Sequence, residues 1–155
     1  VCRQCRGEGR RAKADLVEIN IPAGIDSGQT IKLSGLGEAG WRGGQPGDLY
    51  VGVHVLPSKD FHREGFDIYR TEKIDYATAV LGGEAAVISL NGKLNLKIPA
   101  GTKGGEVFRL QDKGIKQLNK SAYGDLLIKV EIDIPEHLTL RQKRLLEEFR
   151  DELKS

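Results

Sequence analysis

Residues 17–55 read VEINIPAGIDSGQTIKLSGLGEAGWRGGQPGDLYVGVHV, and residues 94–132 read LNLKIPAGTKGGEVFRLQDKGIKQLNKSAYGDLLIKVEI, so one pattern recurs 77 positions along the chain. Aligned without a gap, 11 of the 39 residue pairs are identical, among them the IPAG turns at 21–24 and 98–101. A long internal repeat constrains a fold more strongly than local propensity does. The chain therefore contains two copies of one module, here called the first copy (17–55) and the second copy (94–132).

Within each copy the apolar residues alternate with polar ones, which is the period of a β-strand with one buried face. Val17, Ile19 and Ile21 predict one strand before the first IPAG turn. From residue 49 to residue 56 the same alternation places Val51 and Val53 on one face of a second strand. The proline and glycine of each IPAG segment are typical of turns between strands.

The region between the two copies adds further predicted elements. Residues 66–74 and 85–90 are expected to be strands, joined by a short helical turn at Tyr76–Leu81 that Gly82 ends. The predicted fold is mainly β, with two tandem, duplicated β-sandwich-like domains followed by a C-terminal amphipathic helix.

The last segment has the period of a helix. Thr139 is a plausible N-cap, because Gln142 stands three residues later as in a capping box. Four apolar residues then fall on one helix face: Leu145, Leu146, Phe149 and Leu153. A short terminal helix is stable only when its apolar stripe is covered. Periodicity alone favours equally a helix that packs on its own module and one that pairs with the helix of another chain.

Two cysteines open the chain in the segment CRQCRGEG. Cys2 and Cys5 have the spacing that grips a zinc ion, and the following glycines allow a tight turn beneath the metal. They make only half a site, because structural zinc takes four ligands and the nearest histidine, His54, is far downstream. The alternatives are a thioredoxin-like redox pair, which expects a strand-to-helix junction that is not predicted here, and two free thiols.

Gly35, Gly37 and Gly40 spell GxGxxG, the pattern of a dinucleotide-binding turn. That motif requires a helix directly after it, whereas here further glycines and a proline follow at residues 43–47. In the second copy only Gly114, the counterpart of Gly37, keeps its glycine. A glycine-rich loop is therefore the better interpretation.

No arrangement of residues predicts catalysis. Asp48 and Asp125 occupy the same GDL triplet of the two copies, which favours turn capping over an acid pair. The histidines at positions 54, 62 and 137 are scattered, and no nucleophile is paired with a base by spacing. We expect the chain not to be an enzyme.

The charge pattern excludes some binding partners. The chain has 24 basic and 22 acidic residues, interspersed along its length, for a net charge of +2. This balance offers no broad basic surface for nucleic acid or anionic lipid. No run approaches the roughly 18 apolar residues of a membrane helix, and no secretory leader is recognisable, so a cytoplasmic location is the default expectation.

Several segments together carry a family resemblance. They are CRQCRGEG from residue 2, the two IPAG turns, GLGEAG from 35, GDLYV from 47, FHREGFDI from 61, AVLGGE from 79 and LTLRQKRLLEEF from 138. In this order the segments resemble the DnaJ-type co-chaperones, the heat-shock J-domain protein family, over essentially the whole chain. The resemblance identifies the chain as the C-terminal substrate-binding and dimerisation part of such a protein.

The resemblance implies a division of the chain and a metal. Residues 1–13 would end the cysteine-rich zinc segment, 14–62 would be an incomplete C-terminal domain I, 63–137 domain II, and 138–155 the dimerisation helix. In that family four CxxCxGxG repeats bind two zinc ions. Cys2 to Gly9 looks like the fourth repeat, whose partner cysteines come from the first, and the J domain is expected outside this fragment.

The resemblance also implies a function. Relatives bind unfolded polypeptide clients by adding an extended segment to a sheet edge, and deliver them to a DnaK-type ATPase. By motif, Val17 and Val51 would line the client groove, with Ile19 and Val53 as neighbours for which plain core is the preferred interpretation. The terminal helix would make a homodimer. The alternative function is a structural zinc-and-β assembly module that binds one folded partner.

Overall fold

A computed structural model describes residues 13–154 of the chain. Strands outnumber helices in that part, which confirms the prediction of a mainly β fold. The strands are β1 (Thr30–Leu33), β2 (Leu49–Gly52), β3 (His62–Glu64), β4 (Asp67–Asp75), β5 (Gly83–Ser89), β6 (Gly92–Ile98), β7 (Val107–Leu110) and β8 (Leu126–Asp133). The α-helices are α1 (Tyr76–Leu81), predicted at these residues, and α2 (Leu140–Glu152).

The described residues form two compact units. The first consists of the residues up to 68 together with 111–125, and the second of residues 69–110 together with those from 126 onward. A loop of the second copy, 111–125, thus belongs to the first unit. The domain limits implied by the family resemblance stay a prediction.

The duplication is present in the strand pairing itself. β1 pairs antiparallel with β2, and β7 pairs antiparallel with β8. Ile31 lies opposite Val51 in the first hairpin, and their counterparts 77 positions later, Phe108 and Ile128, lie opposite each other in the second. Because a shift of one residue would turn every side chain to the other face, this shared register places equivalent residues on equivalent faces.

The same backbone hydrogen bonds extend both hairpins. The Gly28 N–H donates to the Val53 carbonyl at 2.9 Å, and the Gly105 N–H donates to the Val130 carbonyl at 2.7 Å. At the loop end, Gly37 donates to Gly47, and the counterpart bond joins Gly114 to Gly124, each at 2.8 Å. The GDL triplets therefore close both loops in the same way.

The aspartates of the GDL triplets cap turns, as predicted. Oδ1 of Asp48 accepts from the Gly35 N–H at 3.0 Å, and Oδ1 of Asp125 accepts from the Asp112 N–H at 3.0 Å. Gly35 has a φ of 72°, and Asp112 takes a similar φ of 56° without being glycine. The second copy keeps the left-handed turn with a residue type that tolerates it better than most, because a short polar side chain can bond locally.

The strand predicted from Val17 to Ile21 is wrong for the described residues, which have no regular structure there. In the second copy the equivalent residues 94–98 belong to β6, which pairs with β5. By the offset of 77, the counterpart of β5 would be residues 6–12, outside the described part of the chain. A strand needs a partner for its hydrogen-bond ladder, and no described residue pairs with 17–21.

The second unit contains a compact apolar core. The hairpin of β5 and β6 and the adjacent strands β4, β8 and β7, hydrogen-bonded in this order, provide most of it. α1 begins after Asp75, whose side chain accepts from the Thr78 N–H, and ends at Gly82, which has a φ of 79°. The buried apolar residues of this unit are Ile74, Ala79, Val87, Leu96, Ile98, Leu126, Ile128 and Val130.

The two GDL glycines offer a matched stability test within the first unit. A Cβ at Gly124 would overlap the Phe66 carbonyl and lie 2.7 Å from Oδ1 of Asp67, whereas a Cβ at Gly47 would meet only the Glu38 carbonyl at 3.9 Å. Overpacking of this kind costs about 1–3 kcal/mol. We expect Gly124→Ala to lower the free energy of unfolding in urea by about that amount, and Gly47→Ala to stay within about 1 kcal/mol of the parent chain. Equal losses would contradict the assigned packing.

Candidate functional site

The inner face of the β1–β2 hairpin is the candidate site. Val51 and Val53 are half-buried on this face, and the cross-strand partner of Val51 is Ile31, also half-buried. Tyr50 and His54 are exposed on the opposite face. The alternation predicted for this strand is therefore confirmed as far as Val53, although β2 itself ends at Gly52.

In the second copy the equivalents of Val51 and Val53 are fully buried. Ile128 and Val130, the counterparts of Val51 and Val53, are each 0% exposed in the core of the second unit. In the described part of the first unit, the same positions are only half-buried. The chain thus carries one apolar face twice, closed in one copy and partly open in the other. A partly open apolar face is the kind of surface that binds another molecule.

The segment that contains Val17 and Ile19 lies in the same unit as Val51 and Val53. Both side chains are half-buried, while Glu18 and Asn20 are exposed, so the alternation survives without a strand. Among the described residues, none forms a backbone hydrogen bond with residues 17–21. Within the part of the chain that the structure describes, the N–H and C=O groups of this segment thus have no backbone partner.

An ion pair on the outer face holds the loop end of the hairpin. Nζ of Lys32 lies 2.7 Å from Oδ2 of Asp48 and 6.0 Å from the centre of the Tyr50 ring. The hydrogen bond from Lys32, and then the backbone N–H of Gly35, hold the pKa of the Asp48 carboxyl below its usual value. Lys32 was missed from sequence, because nothing in the one-dimensional pattern pairs it with Asp48.

Helix α2 has the predicted capping box between Thr139 and Gln142. None of its residues is buried, and the four stripe residues Leu145, Leu146, Phe149 and Leu153 are all exposed by at least two fifths. The Phe149 ring meets the Tyr76 ring of α1, in the same unit, edge-on at 6.4 Å. Leu153 lies just beyond the helix end. The helix thus makes one aromatic contact with its own unit, and its stripe remains largely open.

The other candidate residues give no site in the described residues. Cys2 and Cys5 lie outside them. Within residues 13–154, no three His, Cys, Asp or Glu side chains are grouped so that they could hold a metal ion. The segment of the GxGxxG pattern is a glycine-rich loop with a short 3-10 turn at Trp41–Gly43, as predicted. No described helix is long and apolar enough to span a bilayer.

Comparison with known proteins gives one consistent family. The sequence profile described as the DnaJ C terminal domain matches residues 4–135. The chain is 47% identical over 148 residues to the chaperone protein DnaJ of Vesicomyosocius okutanii subsp. Calyptogena okutanii, and 46% identical over 149 residues to that of a Chelativorans species. It is 49% identical over 148 residues to the chaperone protein DnaJ of Neisseria meningitidis.

Each of these comparisons covers 96% of the chain but 40% of the relative. The chain therefore spans about two fifths of the length of the curated relatives that it matches. The similarity extends across both copies of the repeat and the terminal helix.

The Asp48 carboxylate offers a pH test of the hairpin. Because its pKa is lowered, mainly by Lys32, it stabilises the hairpin above the ordinary carboxyl pKa, and this contribution is lost as the pH falls through the lowered value. We expect Lys32→Met to raise the pKa of Asp48, as measured by NMR titration of the carboxyl carbon. The exposed Lys97 of β6 provides a control, since Lys97→Met should leave the Asp48 titration unchanged. An unaltered titration in Lys32→Met would remove the assigned role.

Proposed function

Because this chain belongs to the family of DnaJ C-terminal domains, we propose that it binds non-native polypeptide segments as the client-binding part of a co-chaperone. The observation that carries this proposal is the repeated apolar face, covered at Ile128 and Val130 and half-open at Val51 and Val53. The expectation that the chain is not an enzyme agrees with a family whose relatives here are named as chaperones.

The binding mode is addition of an extended client segment beside residues 17–21. Backbone groups of this segment, which pair with no other residue that the structure describes, supply hydrogen bonds to any sequence, and an apolar client side chain enters the face lined by Val17 and Val51. Ile19 and Val53 form the floor as core residues. Main-chain pairing makes the site tolerant of sequence, while the apolar face selects hydrophobic residues.

The expected affinity is low. Burial of one large apolar client side chain contributes about 1.5–3 kcal/mol. Ordering an unfolded segment costs about 1–2 kcal/mol for each residue whose backbone is fixed. A narrow contact with one or two such side chains therefore gives weak and reversible binding, which suits a protein that must release its clients.

We assign Cys2 and Cys5 to zinc on the chemistry of their side chains. Two thiolates at this spacing supply half of a tetrahedral site. The remaining two ligands would come from elsewhere in the whole protein. When bound, zinc would cross-link this end of the chain to the rest of the cysteine-rich segment.

The open stripe of α2 supports a proposed homodimer. Leu145, Leu146 and Leu153 remain 56%, 42% and 70% exposed, and a second copy of the same helix would bury them. The Phe149 contact with Tyr76 would then fix the angle at which the helix leaves its unit. The whole protein would work in the cytoplasm and deliver clients to a DnaK-type ATPase.

A second candidate function is a structural zinc-and-β assembly module that binds one folded partner. It would use the same half-open face, but it would require a preformed complementary surface rather than an unfolded chain. Unfolded peptides would then bind no better than polar controls.

Client binding is tested at Val51. Titration of the chain into a fluorescein-labelled, leucine-rich unfolded peptide should give a Kd that rises about tenfold or more in Val51→Asp, because a buried charge opposes an apolar ligand. Val51→Thr keeps the shape of the side chain and should weaken binding less. Tyr50→Asp, on the exposed opposite face, is the matched control and should bind as the parent chain does.

The Val51 result is interpreted beside urea unfolding of each variant. If Val51→Thr and Val51→Asp are both folded and both bind the peptide as the parent chain does, the assigned groove is wrong. Failure of the parent chain itself to prefer the apolar peptide over a polar one would favour the alternative function.

Dimerisation is tested by deleting residues 138–155. The parent chain should have twice its sequence mass by light scattering, and the deletion should be a monomer. Leu146→Glu should also be a monomer, whereas Arg144→Glu, on the polar side of the helix, should remain a dimer. If Leu146→Glu leaves the mass unchanged, the helix packs only on its own unit.

A further inference from the structure

The two copies differ in the sequence of one loop, although the same hydrogen bond closes this loop in both. In each, the loop after the first hairpin strand is closed by a hydrogen bond between glycines, Gly37 to Gly47 and Gly114 to Gly124. The segments compared are residues 36–46 in the first copy and 113–123 in the second, each of which begins one residue before the closing bond. Because both loops share one closure, residues that occur in only one of them are not required to form it.

The loop of the second copy is cationic, and that of the first copy is not. Residues 113–123, KGIKQLNKSAY, contain three lysines and no acid, a formal charge of +3. Residues 36–46, LGEAGWRGGQP, contain one glutamate and one arginine and sum to zero. The closing bond that the two loops share therefore does not require this charge.

The cationic loop is a small hairpin. Lys116 and Tyr123 form an antiparallel bridge, and the Gln117 N–H donates to the Ala122 carbonyl at 2.8 Å. Asn119, at the tip, has a φ of 58°, which suits a tight turn. The bridge places the side chains of Lys116 and Tyr123 on one face, and both are exposed.

The hairpin is held firmly at its base, within the first unit. The Ile115 N–H donates to the Phe66 carbonyl at 2.8 Å. A Cβ on Gly24 would overlap the Lys116 carbonyl, so the hairpin backbone packs directly on the first IPAG turn. That turn follows the segment 17–21 of the candidate client site.

The three lysines have no structural use in the described chain. Lys113, Lys116 and Lys120 are exposed, and none forms an ion pair with a carboxylate of residues 13–154. Unpaired cations on a hairpin with a fixed base form a charged surface whose complement is an acidic ligand. The net charge of only +2 on the chain favours a short acidic peptide over a nucleic acid.

We propose that residues 113–123 bind acidic stretches of extended polypeptides, beside and independent of the apolar face. Only the choice of polypeptide as partner rests on the proposed client binding. Lys113, Lys116 and Lys120 supply charge-assisted hydrogen bonds to glutamate or aspartate side chains. The surface would favour clients whose apolar segment is flanked by acidic residues.

The test uses a fluorescein-labelled peptide of alternating glutamate and serine, with glutamine in place of glutamate as the neutral probe. At low salt the parent chain should bind the acidic peptide and not the neutral one. The triple variant Lys113→Gln, Lys116→Gln, Lys120→Gln should raise the Kd about tenfold, because opposite charges on an exposed surface attract most strongly when salt is low. The matched triple variant Lys93→Gln, Lys129→Gln, Lys143→Gln removes the same charge elsewhere and should change the Kd less than about twofold.

Three results would overturn the proposal. Equal losses in the two triple variants would show a general effect of net charge, and no binding by the parent chain would remove the site. If the triple variant weakens binding of a single-stranded DNA oligonucleotide as much as it weakens binding of the acidic peptide, the surface binds polyanions in general. Binding of the neutral leucine-rich peptide, measured on the same variants, reports separately on the apolar face and should not change.

Discussion

Antiparallel pairing in a fixed register is the constraint on which the rest of this molecule depends. Ile31 lies opposite Val51, and Phe108 lies opposite Ile128. Since side chains alternate between the faces of a strand, this register alone decides which residues form the inner face of each copy. The GDL triplets maintain it from the loop end, because a closed loop leaves the two strands no freedom to slide.

The same constraint explains how one pattern serves two purposes. In the second copy the inner face supplies buried core at Leu126, Ile128 and Val130. In the first copy the equivalent face stays half-open in the described residues, although its residues are equally apolar. Similar apolar composition therefore does not by itself decide how far such a face is buried.

Much of this organisation could be predicted from the sequence, because it follows from short periods and from the repeat. The helix of residues 76–81 and the capping box of Thr139 depend on neighbouring residues, and both were found. The strand predicted at 17–21 is wrong for the described residues. Alternation indicates which face of a strand would be buried, but it does not indicate whether a second strand is present to pair with it. The contact of Tyr76 with Phe149 joins residues distant in sequence, and no one-dimensional pattern encodes it.

The repeat also separates framework from function by internal comparison. Positions with one role in both copies, such as Asp48 and Asp125, are explained by turn geometry, because both accept a backbone N–H at the same place. Leu36 and Lys113 are equivalent positions with different residues, although the neighbouring turn is capped in the same way in both copies. Turn geometry therefore does not explain the lysine. A lysine costs side-chain entropy when it is fixed and contributes little to stability when it is exposed. The contacts of the described fold therefore do not account for three of them in this loop.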